Sequence, residues 1–313
     1  MADTRLAWGA EALWEALHPL LPGLSVEVAA SLPSTNTTLI ERARASGRDL
    51  VASAEDAPAL VRRSVESGAF GRRAVDWQPC LLVAERQTAG RGRMGRDWHA
   101  EPLASLTFSL ALPLAPAEWS GLSLAVGVAL AEALATPLAP ADARRLLLKW
   151  PNDLWLSDIP AGTDAPPGRK LGGVLIETVA TGARRLAVVG VGLNVLPPAQ
   201  AQPAQWSSGL ACFSEVDPEA TAPRVLARVA EPLVRALQRF EQEGFAPFAP
   251  AFAQRDLLQG RAVTTTQAGA HEGIARGVAA DGSLRLETAH GTVPVHSGEV
   301  SVRLRPPAGG AGC

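Results

Sequence analysis

The stretch Arg86-Gln87-Thr88-Ala89-Gly90-Arg91-Gly92-Arg93-Met94-Gly95-Arg96 sets the tightest limit on what this chain can become. Its four guanidinium groups, interleaved with three glycines, cannot enter a core without anionic partners. The segment therefore has to be a solvated loop or a site for an anion, carried between buried elements. Glycine lets backbone amides approach a ligand, and arginine offers a fork of donors that matches phosphate and carboxylate oxygens. The apolar run Cys80 to Glu85 (CLLVAE) reads as a buried strand entering the loop. Ser105 to Leu112 (SLTFSLAL) alternates as a strand leaving it.

A net charge of −2 makes this cluster a local feature rather than part of a general nucleic-acid-binding surface. Cys80, Cys212 and Cys313 are odd in number and far apart, which points to neither a disulfide framework nor a thiolate metal site. A reducing cytoplasm is the expected compartment. Asp3 and Glu11 stand where a signal peptide would be basic and then apolar. The most apolar helical run, from Gly121 to Ala135, is broken by Glu132 and is shorter than the ~20 residues a membrane span needs.

Apolar residues at helical spacing (Leu6, Trp8, Leu13, Trp14, Leu17, Leu20) predict a helix over 5–20, stopped by Pro22-Gly23. A strand is expected at 24–30. Ser34-Thr35-Asn36 then precedes a helical run from Thr37 to Ser46, where these residue types serve first as caps and leave amides that can also hold a polar ligand. Residues 55–77 have no convincing period and read as an inserted helix and loop. Trp119 to Ala135 is a buried helix, and Leu146 to Lys149 a strand ending in Lys149-Trp150-Pro151-Asn152-Asp153, where polar groups gather at a turn. A Pro/Gly loop at 157–169 leads to Lys170-Leu171-Gly172-Gly173 and a strand to Val179. Leu186 to Val195 returns as its antiparallel partner, and Gly190 and Gly192 weaken that strand unless something approaches its backbone. Pro218 to Glu243 is an amphipathic helix. From 260 to 304 short β segments with turns at Asp281-Gly282 and His290-Gly291 describe a small barrel, followed by a disordered tail at 306–313.

Gly90-x-Gly92-x-x-Gly95 satisfies the dinucleotide fingerprint by spelling alone. That motif requires a helix directly after it and an acidic residue about 20 positions on. A strand follows here instead, so the reading fails on context. An arginine–glycine RNA contact would sit in a low-complexity run, which this is not.

Ser34-Thr35-Asn36, Gln87-x-x-Gly-Arg-Gly-Arg-x-Gly-Arg96, Lys149-Trp-Pro-Asn-Asp153, Lys170-Leu-Gly-Gly173 and Gly190-x-Gly192-x-Asn194 occur in this order. Together they resemble the bacterial biotin protein ligases over roughly residues 30 to 304. The resemblance implies an α+β fold. Its catalytic domain would be of the class II aminoacyl-tRNA synthetase-like type, with a mixed, mainly antiparallel sheet, over 1–255. An SH3-like C-terminal domain would follow over 256–305. It implies an ATP-dependent ligase that makes biotinyl-5′-AMP with Mg²⁺ and passes biotin to a lysine of the biotin carboxyl carrier protein of acetyl-CoA carboxylase, other biotin-dependent carboxylases being further acceptors. Only about 30 residues precede Ser34, and they offer one helix rather than a three-helix DNA reader. The monofunctional type without DNA binding is expected, with a homodimer left open.

The resemblance also assigns residues. Ser34, Thr35, Asn36, Gln87, Gly90 and Arg91 hold the biotin ring, with Gly190 and Gly192 as a flat wall. Lys170 reaches the biotin carboxylate and the bridging phosphate. Arg93 and Arg96 cover the phosphates, while Trp98, Lys149, Asn152 and Asn194 attend the adenylate. Asp153 orients the incoming lysine or helps hold metal. Met94 stands where relatives often carry another arginine. Lipoate ligases and octanoyl transferases are the nearest alternatives, a biotin-responsive repressor or a non-catalytic biotin-binding module more distant ones.

Overall fold

The computed structural model describes residues 6–52, 69–70, 77–158, 168–181, 184–199, 209–269, 271–298 and 300–305. Most of the 55–77 insertion, residues 159–167 of the Pro/Gly loop and the 306–313 tail lie outside the described residues. The strands form two sheets. The first contains β1 (Ser25–Ala29), β2 (Ala69–Phe70), β3 (Cys80–Ala84), β4 (Ser105–Pro113), β5 (Leu146–Lys149), β6 (Asp153–Leu156), β7 (Arg169–Thr181) and β8 (Arg184–Asn194). Their order is β2-β1-β3-β4-β8-β7-β6-β5. Only β1 and β3 run parallel, so this sheet is mixed and mainly antiparallel as expected. The second sheet contains β9 (Ala262–Thr265), β10 (Glu272–Val278), β11 (Leu284–Thr288), β12 (Gly291–Val295) and β13 (Val302–Leu304). Its pairs are all antiparallel, and β12 and β13 form its edges.

The helices are α1 (Ala10–Leu17), α2 (Thr35–Ala52), α3 (Leu122–Ala135), α4 (Pro140–Ala143), α5 (Ala222–Glu243) and α6 (Ala249–Arg255). α1 starts later than the apolar spacing predicts, because Gly9 takes a left-handed conformation (φ 60°) just before it. α2 starts earlier than predicted, and the Ser34 hydroxyl accepts from Thr37 N–H at 3.4 Å, as the capping reading expects. The sequence reading did not anticipate β6, whose first residue, Asp153, belongs to the polar turn motif and leaves only three apolar residues to mark a strand.

Strand alternation divides the first sheet into two faces. Leu81, Val83, Leu106, Phe108 and Leu110 point to a large core shared with α1, α3 and α5. On α5, Val225, Leu226, Val229, Leu233, Leu237 and Phe240 are buried there. Each such side chain stabilises by ~1.5–3 kcal/mol, which fixes the face the helix turns inward. On the opposite face Cys80, Leu82, Ala111, Val188 and Val179 meet Leu39, Ile40 and Ala43 of α2. That face also carries Thr107 and Ser109, polar yet buried. The second sheet docks without a break in the core, since Val263, Ala275, Leu284 and Leu286 belong to the same buried cluster as Leu148 and Trp150. Trp150 Nε1 donates to Gly282 O at 3.0 Å, and Leu148 bridges to Asp256. Among the described residues no helix is long and apolar enough to cross a membrane.

Candidate functional site

Two rows of paired residues make the floor of an open cleft on the α2 face. In one row Asp153 pairs with Gly173, Gly173 with Gly192, and Gly192 with Thr107. In the next, Leu175 pairs with Gly190 and Gly190 with Ser109. The β8 glycines are central to both rows. A Cβ on Gly190 would strike Asn36 Oδ1, and one on Gly192 would strike the Trp98 ring. Their bare backbone therefore admits side chains of this same chain, a closer approach than the flat wall the sequence suggested.

At one end of the cleft the groups are mostly uncharged. Thr35 N–H donates to Gln87 Oε1 at 2.8 Å, joining the start of α2 to the arginine loop. Asn36 Nδ2 donates to Leu175 O at 3.2 Å and to Glu177 Oε2 at 3.0 Å. Ser109 Oγ lies 2.6 Å from both Thr35 Oγ1 and Asn36 Oδ1. Arg91 donates to Glu177 Oε1 at 3.0 Å and to Thr37 Oγ1 at 3.2 Å, so its charge is answered by a carboxylate behind the cleft.

The other end is cationic. Lys170 Nζ donates to Asp153 Oδ1 at 2.7 Å and stands 5.7 Å from the centre of the Trp98 ring. The loop folds back on itself, with Gly92 N–H donating to Arg96 O at 2.6 Å and Trp98 N–H to Gly90 O at 2.9 Å. Arg93 donates to Asn152 Oδ1 at 3.2 Å and to the carbonyls of Ser297, Gly298 and Val300. Arg96 donates to Ser301 Oγ at 3.1 Å, and Lys149 Nζ to Val302 O at 2.8 Å. Backbone and hydroxyl oxygens ahead of and within β13 thus occupy donors of three cations. Burial lowers the pKa of Arg93 and of Lys149, against the opposing pull of Asp153.

Of the residues singled out by sequence, Ser34, Thr35, Asn36, Gln87 and Arg91 line the cleft with Gly190 and Gly192. So do Arg93, Arg96, Trp98, Asn152, Asp153 and Lys170. Gly90, Lys149 and Asn194 do not line it. Gly90 is held by Trp98, Lys149 is turned to β13, and Asn194 is buried with its Nδ2 3.4 Å from Lys170 O. Met94, exposed and at φ 57°, makes the turn of the loop. Sequence reasoning missed Ser109 and Glu177. The only signal for either was a polar residue breaking an apolar strand.

Asp153 is the carboxylate nearest Lys170, and no group of three or more His, Cys, Asp or Glu side chains able to hold a metal ion occurs among the described residues. One carboxylate suits a Mg²⁺ that arrives on a polyphosphate and keeps its remaining ligands there, and does not suit a resident all-protein site.

Residues 76–194 match the Biotin/lipoate A/B protein ligase family, and residues 259–303 the Biotin protein ligase C terminal domain. The bifunctional ligase/repressor BirA of Escherichia coli is 34% identical over 226 residues, covering 71% of this chain. This chain spans 65% of the length of that relative. The biotin–[acetyl-CoA-carboxylase] ligase of Mycobacterium tuberculosis is 34% identical over 240 residues, 72% of this chain and 79% of its own. Among solved structures, the biotin protein ligase of Aquifex aeolicus in complex with biotin and ATP superposes with a TM-score of 0.64. It shares 24% identity and covers 90% of this chain and 99% of its own, a likeness of fold.

Proposed function

Because this chain belongs to the biotin protein ligase family, we propose that it is an ATP-dependent ligase that activates biotin and transfers it to a carrier protein. The observation that carries the reading is one cleft with a hydrogen-bonding, mostly uncharged end at Thr35 and Gln87 and a cationic end at Lys170, Arg93 and Arg96. A molecule with a polar ring at one end of an aliphatic arm and a carboxylate at the other fits that polarity.

Joining a carboxylate to the α-phosphate of ATP brings two anions together. At ~4 Å two unit charges repel by about 4 kcal/mol at an effective dielectric of about 20, so fixed cations are required. Lys170 is assigned to the biotin carboxylate and the bridging oxygen, where its bond to Asp153 pre-aims the ammonium. Arg93 and Arg96 are assigned to the phosphates, exchanging the oxygens of the 297–301 segment for those of the nucleotide. Trp98 and Asn152 serve the nucleotide portion, and Ser34, Thr35, Asn36, Gln87 and the Arg91 region serve the ring. Mg²⁺ bound with ATP would neutralise the departing pyrophosphate, with Asp153 its nearest carboxylate. A carboxylate oxygen attacks the α-phosphorus and pyrophosphate leaves. The neutral amine of a carrier lysine then attacks the acyl carbon, loses a proton and displaces AMP. The acceptor is the biotin carboxyl carrier protein of acetyl-CoA carboxylase or a similar carrier domain, and the cytoplasm is where both would meet.

The test is incubation of purified protein with biotin, MgATP and a carrier domain, read by mass spectrometry. A biotin mass increment on the carrier that requires ATP is expected. No increment, or an increment from lipoate under the same conditions in place of biotin, overturns the reading.

A further inference from the structure

Ser109 and Glu177 touch the residues that line the cleft without lining it themselves, and together they settle where protons lie at its uncharged end. A carboxylate only accepts hydrogen bonds. Glu177 Oε2 and Leu175 O both lie on Asn36 Nδ2, at 3.0 and 3.2 Å. Two acceptors on one side hold the Asn36 amide with its nitrogen toward β7 and Oδ1 toward β4. Ser109 Oγ is 2.6 Å from that Oδ1, and since a carbonyl cannot donate, the Ser109 proton must point at it. A serine has one proton. The 2.6 Å contact between Ser109 Oγ and Thr35 Oγ1 is then made by the Thr35 proton. The remaining neighbour of Thr35 Oγ1 is Gln87 Oε1 at 3.3 Å, a longer contact to an oxygen already accepting the Thr35 backbone N–H.

We propose that Ser109 and Glu177 are positioning residues that fix Thr35 Oγ1 as an acceptor beside Gln87 Nε2, which the Thr35 N–H bond to Gln87 Oε1 leaves as a donor, and so select a ligand ring carrying N–H and C=O side by side. A cyclic urea has both groups, and a dithiolane ring has neither. The register supports the device. Ser109 pairs with Gly190, the residue whose missing Cβ leaves the space that Asn36 Oδ1 occupies. Arg91 holds Glu177 from the other side at 3.0 Å, which ties the relay to the arginine loop. The inference rests on the ligase reading and specifies how that site tells biotin from acids of similar length.

The test compares three acids by titration calorimetry: biotin, desthiobiotin (which keeps the urea and lacks the thioether) and lipoate (which has no urea). Ser109→Ala is expected to weaken biotin and desthiobiotin by the same factor, ~10-fold, the scale of one buried hydrogen-bond arrangement. Lipoate binding and the KM for ATP are expected to stay within about twofold of wild type, below what one hydrogen bond supplies. Glu177→Ala is expected to act in the same direction, and Glu177→Gln, which keeps an acceptor for Asn36, to recover most of the loss. The double variant Ser109→Ala/Glu177→Ala should lose no more than the larger single, because both act through one chain of bonds. Equal weakening of all three acids would mark a packing defect and overturn the proposal, as would unchanged biotin affinity in Ser109→Ala. If wild-type protein binds none of the three, the ligase reading itself falls, and this proposal with it.

Discussion

The Thr35 end of the cleft and the Arg93 end draw their hydrogen-bond partners from different parts of the molecule. At Thr35, short hydrogen bonds run from the half-buried Gln87 of the arginine loop to Thr35 and on through Ser109 to Asn36, the last three residues buried on the first sheet and its helix. At Arg93, Arg96 and Lys149, the partners are oxygens of the second sheet and the segment leading into β13. A buried uncharged group must have its partner within the fold, because leaving it unpaired costs roughly 1–3 kcal/mol. Its geometry is thus ready for a ligand. The guanidinium and ammonium donors there bond neutral carbonyl and hydroxyl oxygens, which a phosphate can displace because its charge-assisted bonds are stronger. One end is preassembled, and the other is held by stand-ins that a phosphate can replace.

Breaking the cationic end at its most fixed member gives the largest expected effect. Lys170→Met should slow adenylate formation by ~10²–10³-fold, the scale of removing one preorganised electrostatic group, with biotin affinity much less changed. Pyrophosphate release kinetics check this, and a rate near wild type would remove Lys170 from the chemistry. The preassembled end is challenged by Gly190→Val, whose side chain must displace Asn36. Overpacking of ~2–3 kcal/mol predicts a loss of biotin affinity on the order of 10²-fold by calorimetry. Normal affinity there would mean that Asn36 is free to move and that the contrast between the two ends is false.

Arg93→Gly sharpens the exchange idea. Removing its charge-assisted bonds should speed escape of the adenylate, raising label on lysines of a bystander protein by ~10-fold. Retention of full activity with strict carrier selectivity would show that Arg93 does not hold the intermediate. The smallest effect concerns the joint between the sheets. Burial pushes the Asp256 carboxyl up to about 6 from an ordinary 3.8, despite backbone N–H bonds from Leu258 and Gln259, and its Oδ2 has no hydrogen-bond partner. A carboxyl whose folded pKa is raised binds more protons folded than unfolded, so stability falls as pH rises from about 4 to about 6 and stays lower above. Asp256→Asn should therefore be more stable than wild type at pH 7.5 by about 1–2 kcal/mol and melt higher, and the advantage should vanish near pH 4. Thermal melts at the two pH values measure it, and a constant difference would assign the effect to packing.

Much of this was legible in residues close together in the chain. The strands at 80–84, 105–113 and 146–149 and the antiparallel pair of β7 and β8 followed from short apolar or alternating runs, and the long α5 from helical periodicity, all of which need only local spacing. The polar motifs were visible as residues too costly to bury without a purpose, and their order supplied the resemblance. β6 was missed because it starts at Asp153, inside the polar turn motif, which leaves only Leu154, Trp155 and Leu156 as an apolar run.

The sequence by itself determined which side chains could bind an anion or a polar ring, since charge, glycine content and turn chemistry belong to the residues. The tertiary structure alone decided which of them meet. Asn36 and Glu177 are 141 positions apart, and they bond because α2 lies across β7 in one register. A shift of one residue would turn Ser109, Gly190 and Glu177 to the opposite face and dissolve the relay. Lys149 illustrates the converse, a cation marked by its motif that packing turned toward Val302 O, outside the cleft lining. Hydrogen-bond direction depends on distances of a few tenths of an ångström between distant segments, and no local pattern encodes those.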